Sequence, residues 1–300
     1  MVNIDTSFDF ALPNSIKLSL YKTALQLKAL GSKDFINKPL SAPSKHLVSS
    51  GGKYIRPTIV FLSALAIGEK PGDYVNLASA IELLHTASLV HDDIIDRDRI
   101  RRGLPAVHIK YGTEAAILAG DALISKSILL SSGYGRDVID SISRAAMSMC
   151  AGEILDFGFQ KSQRVPDVNS YTEIASLKSA SLIATAASVA AISANKPKLA
   201  SRLYEFGKFA GIAFQMRDDL FNFMGLNDSS KKSTGNDGAK FRPNIVDVVL
   251  KTVARREDAI EKVIALNNSF IDKANKNLKG TVAAETLSKY ANLIRIRTAG

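Results

Sequence analysis

Glu82-Leu83-Leu84-His85-Thr86-Ala87-Ser88-Leu89-Val90-His91-Asp92-Asp93-Ile94-Ile95-Asp96 is the stretch on which the reading of the whole chain turns. A mostly apolar run passes straight into three carboxylates in the pattern D-D-x-x-D. A helix turns once in about 3.6 residues, so Asp92 and Asp96 stack on one face, and Asp93 stands about 100° round from Asp92. Three acids this close repel one another unless a cation lies between them. An all-oxygen donor set suits a hard ion such as Mg²⁺, which keeps several waters and shares its remaining positions with substrate phosphates. His85 lies two helical turns before Asp92 and faces the same side. Taken alone, the pattern serves equally well as an acidic helix end turned to water.

A second copy tips that balance. Gln215-Met216-Arg217-Asp218-Asp219-Leu220-Phe221-Asn222 again follows an apolar helical run, 206–214, with Asn222 in the last place. Two such patches on long apolar helices can face each other and clamp a diphosphate through bridging metal ions. Basic clusters accompany the acids. In Gly51-Gly52-Lys53-Tyr54-Ile55-Arg56-Pro57 the glycines let backbone approach a ligand closely, and Lys53 and Arg56 can converge on one anion. In Arg101-Arg102-Gly103-Leu104-Pro105 two adjacent arginines cannot point the same way, so they can reach two different anions. Lys178 stands in an apolar helix, where it must either reach solvent or meet an anion.

These ordered motifs, from about Gly51 to about Pro243, resemble those of the all-trans polyprenyl diphosphate synthase family, the head-to-tail isoprenyl synthases. The resemblance implies a transferase that joins isopentenyl diphosphate to an allylic diphosphate. Lys53, Arg56, His85 and Arg102 would bind isopentenyl diphosphate, and Arg101 the allylic diphosphate. Lys178-Ser179 resembles the family's K-T pair, and Gln215 stands at its F-Q position. Lys232 lies in a segment similar to G-K-x-x-G-x-D, and Lys240 in a shortened second basic patch. Asp92, Asp93, Asp96, Asp218, Asp219 and Asn222 would form the metal-binding set, with about three Mg²⁺ ions when diphosphate is bound. Asp92, Asp93, Asp96, Lys178 and Asp218 would carry the catalysis. Asn222 keeps an oxygen donor and brings no charge, which weakens one ion site modestly without abolishing activity.

Composition bounds the rest. The 300 residues are 46% hydrophobic and contain no Pro/Gly/Ser linker, which predicts one domain over 1–300. The net charge of +10 fits an anionic partner. No basic run interleaved with aromatics appears, which counts against nucleic acid. The single cysteine, Cys150, lies in an apolar helical stretch and is expected to be buried. The N-terminus lacks the pattern of a signal peptide, and Leu182–Ala194 falls short of the ~20 apolar residues of a membrane span. A cytoplasmic protein without a transmembrane segment is the expectation.

Helical periodicity runs through the chain, and no strand pattern stands out. The spacing predicts helices over about 16–30, 41–48, 56–66, 72–97, 113–131, 137–160, 171–194 and 197–224, then further helices from Pro243 to about Ile296. The 99–111 stretch reads as a loop, Thr113 as a helix cap, and 225–242 as a polar lid. Small residues over 183–194 suit close helix packing. The fold expected is an all-α single-domain bundle of long helices around a central apolar cavity, of the isoprenoid synthase type.

The chemistry that follows is ionisation of the allylic diphosphate, attack by the isopentenyl double bond and loss of a proton. The resemblance makes the released diphosphate the acceptor of that proton. Water must be kept from the cation. Ala87 and Ser88, about one turn before Asp92, are small, and Leu84 lies a layer further on. A growing chain can pass them, which argues against a farnesyl product and for geranylgeranyl or longer. A terpene cyclase needs no second diphosphate site, so Lys53, Arg56 and Arg102 count against it. A non-catalytic subunit of a heteromeric synthase tends to lose its acidic motifs, and both stand here nearly whole. The resemblance also implies a homodimer.

Overall fold

The computed structural model describes residues 12–226, 241–282 and 284–296. They gather into two compact units, an N-terminal one of residues 12–143 and a C-terminal one of 144–226 with 241–296. Both are built of helices, as the periodicity predicts.

In the N-terminal unit the elements are α1 (Asn14–Ala29), α2 (Lys38–Ser49), α3 (Ile55–Ala66), α4 (Val75–Ile95), β1 (Ile100–Arg101), β2 (Leu104–Pro105), α5 (Val107–Tyr111) and α6 (Thr113–Ser131). The central rod is α4. Its residues Leu77, Ala80, Ile81, Leu83, Leu84 and Ala87 are buried, and α6 lies along it. Ser127 of α6 donates to the Ala80 carbonyl at 2.7 Å, which satisfies a hydroxyl inside that contact. Helix α2 starts earlier than its sequence suggests, because Asn37 caps the Leu40 N–H at 2.9 Å and Pro39 fits the first turn. Thr113 opens α6 without capping it; Gly112 takes the cap position at φ 90.

The 99–111 stretch is more ordered than a loop. Ile100 pairs with Pro105 and Arg101 with Leu104 in a short antiparallel ribbon, followed by α5. Four residues of ribbon are too few for strand periodicity to register in sequence.

Helix α7 (Arg136–Ser162) gives its first turns to the N-terminal unit and the remainder to the C-terminal one. The C-terminal unit continues with α8 (Val168–Ile174), α9 (Ser181–Ser193), α10 (Pro197–Phe223), α11 (Ile245–Leu250), α12 (Arg256–Leu278) and α13 (Ala284–Asn292). The stretch read as one helix over 171–194 is interrupted. Residues Ala175–Ala180, between α8 and α9, wind as a π-helix, a form that recurs at functional sites. The small residues of α9 do allow close packing. A Cβ on Gly207 of α10 would stand 2.6 Å from the Ala184 Cα, so only glycine lets the two backbones meet there. Buried Asn267 of α12 donates to the Ala213 carbonyl at 2.7 Å and accepts from the Ile296 N–H at 3.1 Å, tying the end of the described chain to α10. Cys150 is exposed on α7, contrary to the expectation of burial. Its apolar neighbours Met147 and Ile154 are exposed as well.

Two helical stretches, Thr113–Tyr134 and Val168–Ser193, are long and apolar enough to cross a bilayer by length and composition. The second is mostly buried within its unit, and the first is mostly not.

Candidate active site

The first acidic motif ends α4, and the structure divides its three carboxylates. Asp92 and Asp96 are half-buried at the helix end, as the one-face spacing requires. Asp93 is 0% exposed and turns inward, where Arg101 Nε donates to its Oδ1 at 2.7 Å and Arg101 Nη2 pairs with the same oxygen. Asp98 takes Arg101 Nη2 at 3.1 Å. Burial pushes the Asp93 carboxyl up to about 6, against the opposing pull of Arg101. Arg101 itself is only 8% exposed. Thus Asp93, grouped in sequence with the metal ligands, braces Arg101, and Arg101, expected on the allylic diphosphate, is engaged by Asp93 and Asp98.

Arg102 leaves in the other direction, as adjacent arginines must. Its Nη1 donates to the Gly51 carbonyl at 2.6 Å and to the Leu47 carbonyl at 3.3 Å, and its Nη2 stands 3.6 Å from Glu82 Oε1. Arg102 and Tyr54 both hold left-handed backbone, at φ 54 and φ 49. Such conformations cost about 1–3 kcal/mol each and persist where the surroundings fix them. The Gly51–Arg56 turn and the Arg101–Arg102 turn are thereby pinned to one another.

His85 lies within this basic group. Burial and the charges of Arg56, Arg102 and Arg101 hold its imidazole well below its ordinary value, so it is neutral at physiological pH. Glu82, one turn before it, is 5% exposed. Burial raises its pKa, and Arg102 and Arg56 oppose the rise. A glutamate in an otherwise apolar run was visible in sequence, yet its role as the counter-charge of two arginines was not. Lys53 is exposed on the same turn. Ser88 is half-buried and donates to the His85 carbonyl at 2.9 Å. Ala87 is fully buried in a cluster with Leu47, Val90, Ala116 and Leu123, and Leu84 is buried too.

The C-terminal unit holds the second motif near the end of α10, where Asp218 is half-buried and Asn222 exposed. Asp219 is half-buried like Asp218, and donors of its own unit hold it. Tyr171 Oη donates to its Oδ2 at 2.7 Å, Gln215 Nε2 to its Oδ1 at 2.8 Å, and the Ile245 N–H to Oδ2 at 3.3 Å. Burial nevertheless drives its carboxyl up to about 6. The Gln215 carbonyl end accepts from Ser179 Oγ at 2.7 Å. Lys178, the other half of the Lys-Ser pair, lies in the π segment. It is held by Glu153 Oε2 and Asp156 Oδ2, each at 2.6 Å. Gly152 makes this possible: a Cβ there would fall 2.3 Å from the Lys178 backbone nitrogen. Glu153, Asp156 and Tyr171 escaped the sequence reading. Their signal was faint, two acids at i,i+3 on a mixed helix and a tyrosine two turns before Lys178. Lys232 and Lys240, with most of the expected lid, lie outside the described residues.

Among the described residues no three His, Cys, Asp or Glu side chains are gathered as a ready-made metal cage. The donors at the helix ends are the carboxylates of half-buried Asp92, Asp96 and Asp218. That set fits Mg²⁺, which needs only one or two protein carboxylates and completes its shell from water and phosphate.

The family model described as Polyprenyl synthetase matches residues 37–298. A short chain isoprenyl diphosphate synthase of Methanothermobacter thermautotrophicus is 37% identical over 246 residues, 80% of this chain and 75% of that protein. A geranylgeranyl diphosphate synthase of Methanosarcina mazei is 34% identical over 258 residues, 83% of this chain and 76% of its own length. Among solved structures, the geranylgeranyl pyrophosphate synthetase of Pyrococcus horikoshii superposes with a TM-score of 0.80 at 27% identity, covering 93% of this chain and 96% of that one.

Proposed function

The chain belongs to the polyprenyl synthetase family, and from that membership we propose how its residues divide the work. It is a prenyltransferase that elongates an allylic diphosphate with isopentenyl diphosphate to an all-trans polyprenyl diphosphate. We assign Lys53, Arg56, His85 and Arg102 to the isopentenyl diphosphate. The observation that carries this is the hold of Arg102 on the Gly51 carbonyl at 2.6 Å, which joins the turn bearing Lys53 and Arg56 to the arginine turn. Basic side chains gathered from two turns favour a multiply charged anion. A cyclase, which takes one diphosphate, has no use for such a group beside its acidic motif.

Asp92 and Asp96, and in the other unit Asp218 with Asn222, are the carboxylate and amide oxygens that would hold Mg²⁺. An ion bound in either unit would neutralise charge building on a leaving diphosphate. Asp93 keeps Arg101 beside that face. Lys178, Ser179 and Gln215 are assigned to the allylic substrate. As its C–O bond breaks, the bonding pair leaves with diphosphate. The isopentenyl double bond then attacks the allylic cation, and the product alkene forms as the released diphosphate takes up a proton. The chain supplies no covalent nucleophile to this sequence, and none is needed. Small Ser88, on the His85 and Asp92 face, leaves room for a chain beyond farnesyl, so we propose geranylgeranyl diphosphate or a longer homologue as product.

We further propose that two copies associate through α6. The support is its exposed apolar row: Ile117, Leu118, Ile128 and Leu129 are 45%, 59%, 37% and 62% exposed in the single chain. Sedimentation equilibrium should return twice the mass of the chain.

The deciding experiment supplies Mg²⁺, labelled isopentenyl diphosphate and, in turn, dimethylallyl, geranyl, farnesyl and geranylgeranyl primers. Products are dephosphorylated and sized. Incorporation with a product of geranylgeranyl length or more is expected. No incorporation with any primer would overturn the reading.

A further inference from the structure

Four side chains of the C-terminal unit form one continuous hydrogen-bonded line. It runs from Tyr171 Oη to Asp219 Oδ2 at 2.7 Å, from Asp219 Oδ1 to Gln215 Nε2 at 2.8 Å, and from Gln215 Oε1 to Ser179 Oγ at 2.7 Å. Only the Ser179 and Gln215 end is assigned to substrate, and this inference rests on that assignment. Tyr171 is buried at the far end, 6% exposed.

The line has a direction because its members differ in what they can offer. A serine hydroxyl both donates and accepts, so Ser179 alone leaves the Gln215 amide free to present either its oxygen or its NH₂. A carboxylate only accepts. Asp219 therefore compels the Gln215 NH₂ to face it, which turns the amide oxygen to Ser179 and makes the serine the donor. Asp219 can do this only while its own carboxylate plane is fixed. The Ile245 N–H reaches Oδ2 at a long 3.3 Å, so the 2.7 Å bond from the Tyr171 hydroxyl is the firmer hold. That hydroxyl is in turn fixed by its ring at the start of α8, just before the π segment that carries Ser179.

We infer that Tyr171 is a positioning residue for the allylic substrate, acting solely through Asp219 on the orientation of Gln215 and hence of Ser179. Replacing the hydroxyl leaves the ring and its packing in place, but frees the carboxylate to rotate and the amide to flip. The loss then falls on the binding of the allylic diphosphate and spares isopentenyl diphosphate.

The test measures both KM values, kcat and Tm for Tyr171→Phe, Gln215→Ala and the double variant, using full-length protein with Mg²⁺ and geranyl or farnesyl diphosphate. For Tyr171→Phe the allylic KM should rise about fivefold to tenfold, the scale of one lost hydrogen bond, while the isopentenyl KM stays within about twofold. Gln215→Ala should raise the allylic KM at least as much, and the double variant should be no worse than Gln215→Ala alone, since Tyr171 works only through that amide. Equal rises in both KM values for Tyr171→Phe, or additive losses in the double variant, would overturn the inference in favour of a general packing role. An unchanged allylic KM in Gln215→Ala would instead overturn the substrate assignment on which the inference rests.

Discussion

The two acidic motifs are near copies in sequence and differ in how they settle the same electrostatic problem. In each, the second aspartate is held by donors of its own unit, and desolvation lifts its carboxyl to about 6. Asp93 meets a full cation, Arg101. Asp219 meets only dipoles: a tyrosine hydroxyl, a glutamine amide and a backbone N–H. The first arrangement is a nearly neutral pair that also anchors a basic turn. The second is a half-buried charge spread over three donors, one of them the Gln215 amide, whose oxygen in turn accepts from Ser179. The repeated D-D thus ends in two different settings for its second aspartate, a cation in one unit and dipoles in the other, and the division of labour proposed for each pair can be tested.

The comparison can be broken most sharply at the outer acids. Asp92→Ala should lower kcat/KM by about 10³-fold or more, the scale of removing charge stabilisation from a developing leaving group, with Tm almost unchanged. Next comes the inner pair. Asp93→Ala leaves Arg101 buried beside Asp98 alone and should destabilise the protein by about 3 kcal/mol in urea unfolding. Asp219→Ala strands neutral donors instead and should cost less, about 1–3 kcal/mol. The opposite order would mean that the dipoles hold their charge more tightly than the arginine does.

A pH series sharpens the same contrast. Both inner carboxyls have folded values raised from 3.8 to about 6. Between those values the folded state binds more protons than the unfolded one, so their contribution to stability is fully present below about 4 and is lost as pH rises through about 6. The stability of the unmodified protein minus that of Asp219→Asn should therefore fall from pH 4 to pH 6 and level off above. A flat difference would show that the carboxyl is not raised. The smallest effect is expected at Asn222, which is exposed. Asn222→Asp should change the rate at low Mg²⁺ by less than about tenfold. A large gain would mean that the missing charge limits metal binding.

Much of this was legible in the sequence, for identifiable reasons. The helices carry their own period, and the D-D-x-x-D spacing fixes Asp92 and Asp96 on one face before any tertiary contact forms. Adjacent arginines had to diverge, and they do. The partner of an inward acid could not be read, because Asp93 and Arg101 meet only when the ribbon after α4 folds back. Tyr171 meets Asp219 across 48 positions of chain. Lys178 looked like a cation awaiting a ligand, since Glu153 and Asp156 lie on another helix. The π segment left no trace because its residues suit an ordinary helix equally well. Cys150 was misplaced for a related reason: an apolar stretch predicts burial, yet this part of α7 is exposed.

The most direct test of the division of labour is a Mg²⁺ titration of activity for Asp92→Asn and Asp93→Asn side by side. Asparagine keeps shape and removes charge from each. The account predicts that Asp92→Asn raises the half-saturating Mg²⁺ concentration about tenfold or more, while Asp93→Asn leaves it within about twofold and shows its effect in Tm. Equal shifts in the metal requirement would contradict it and make Asp93 a ligand like its neighbour.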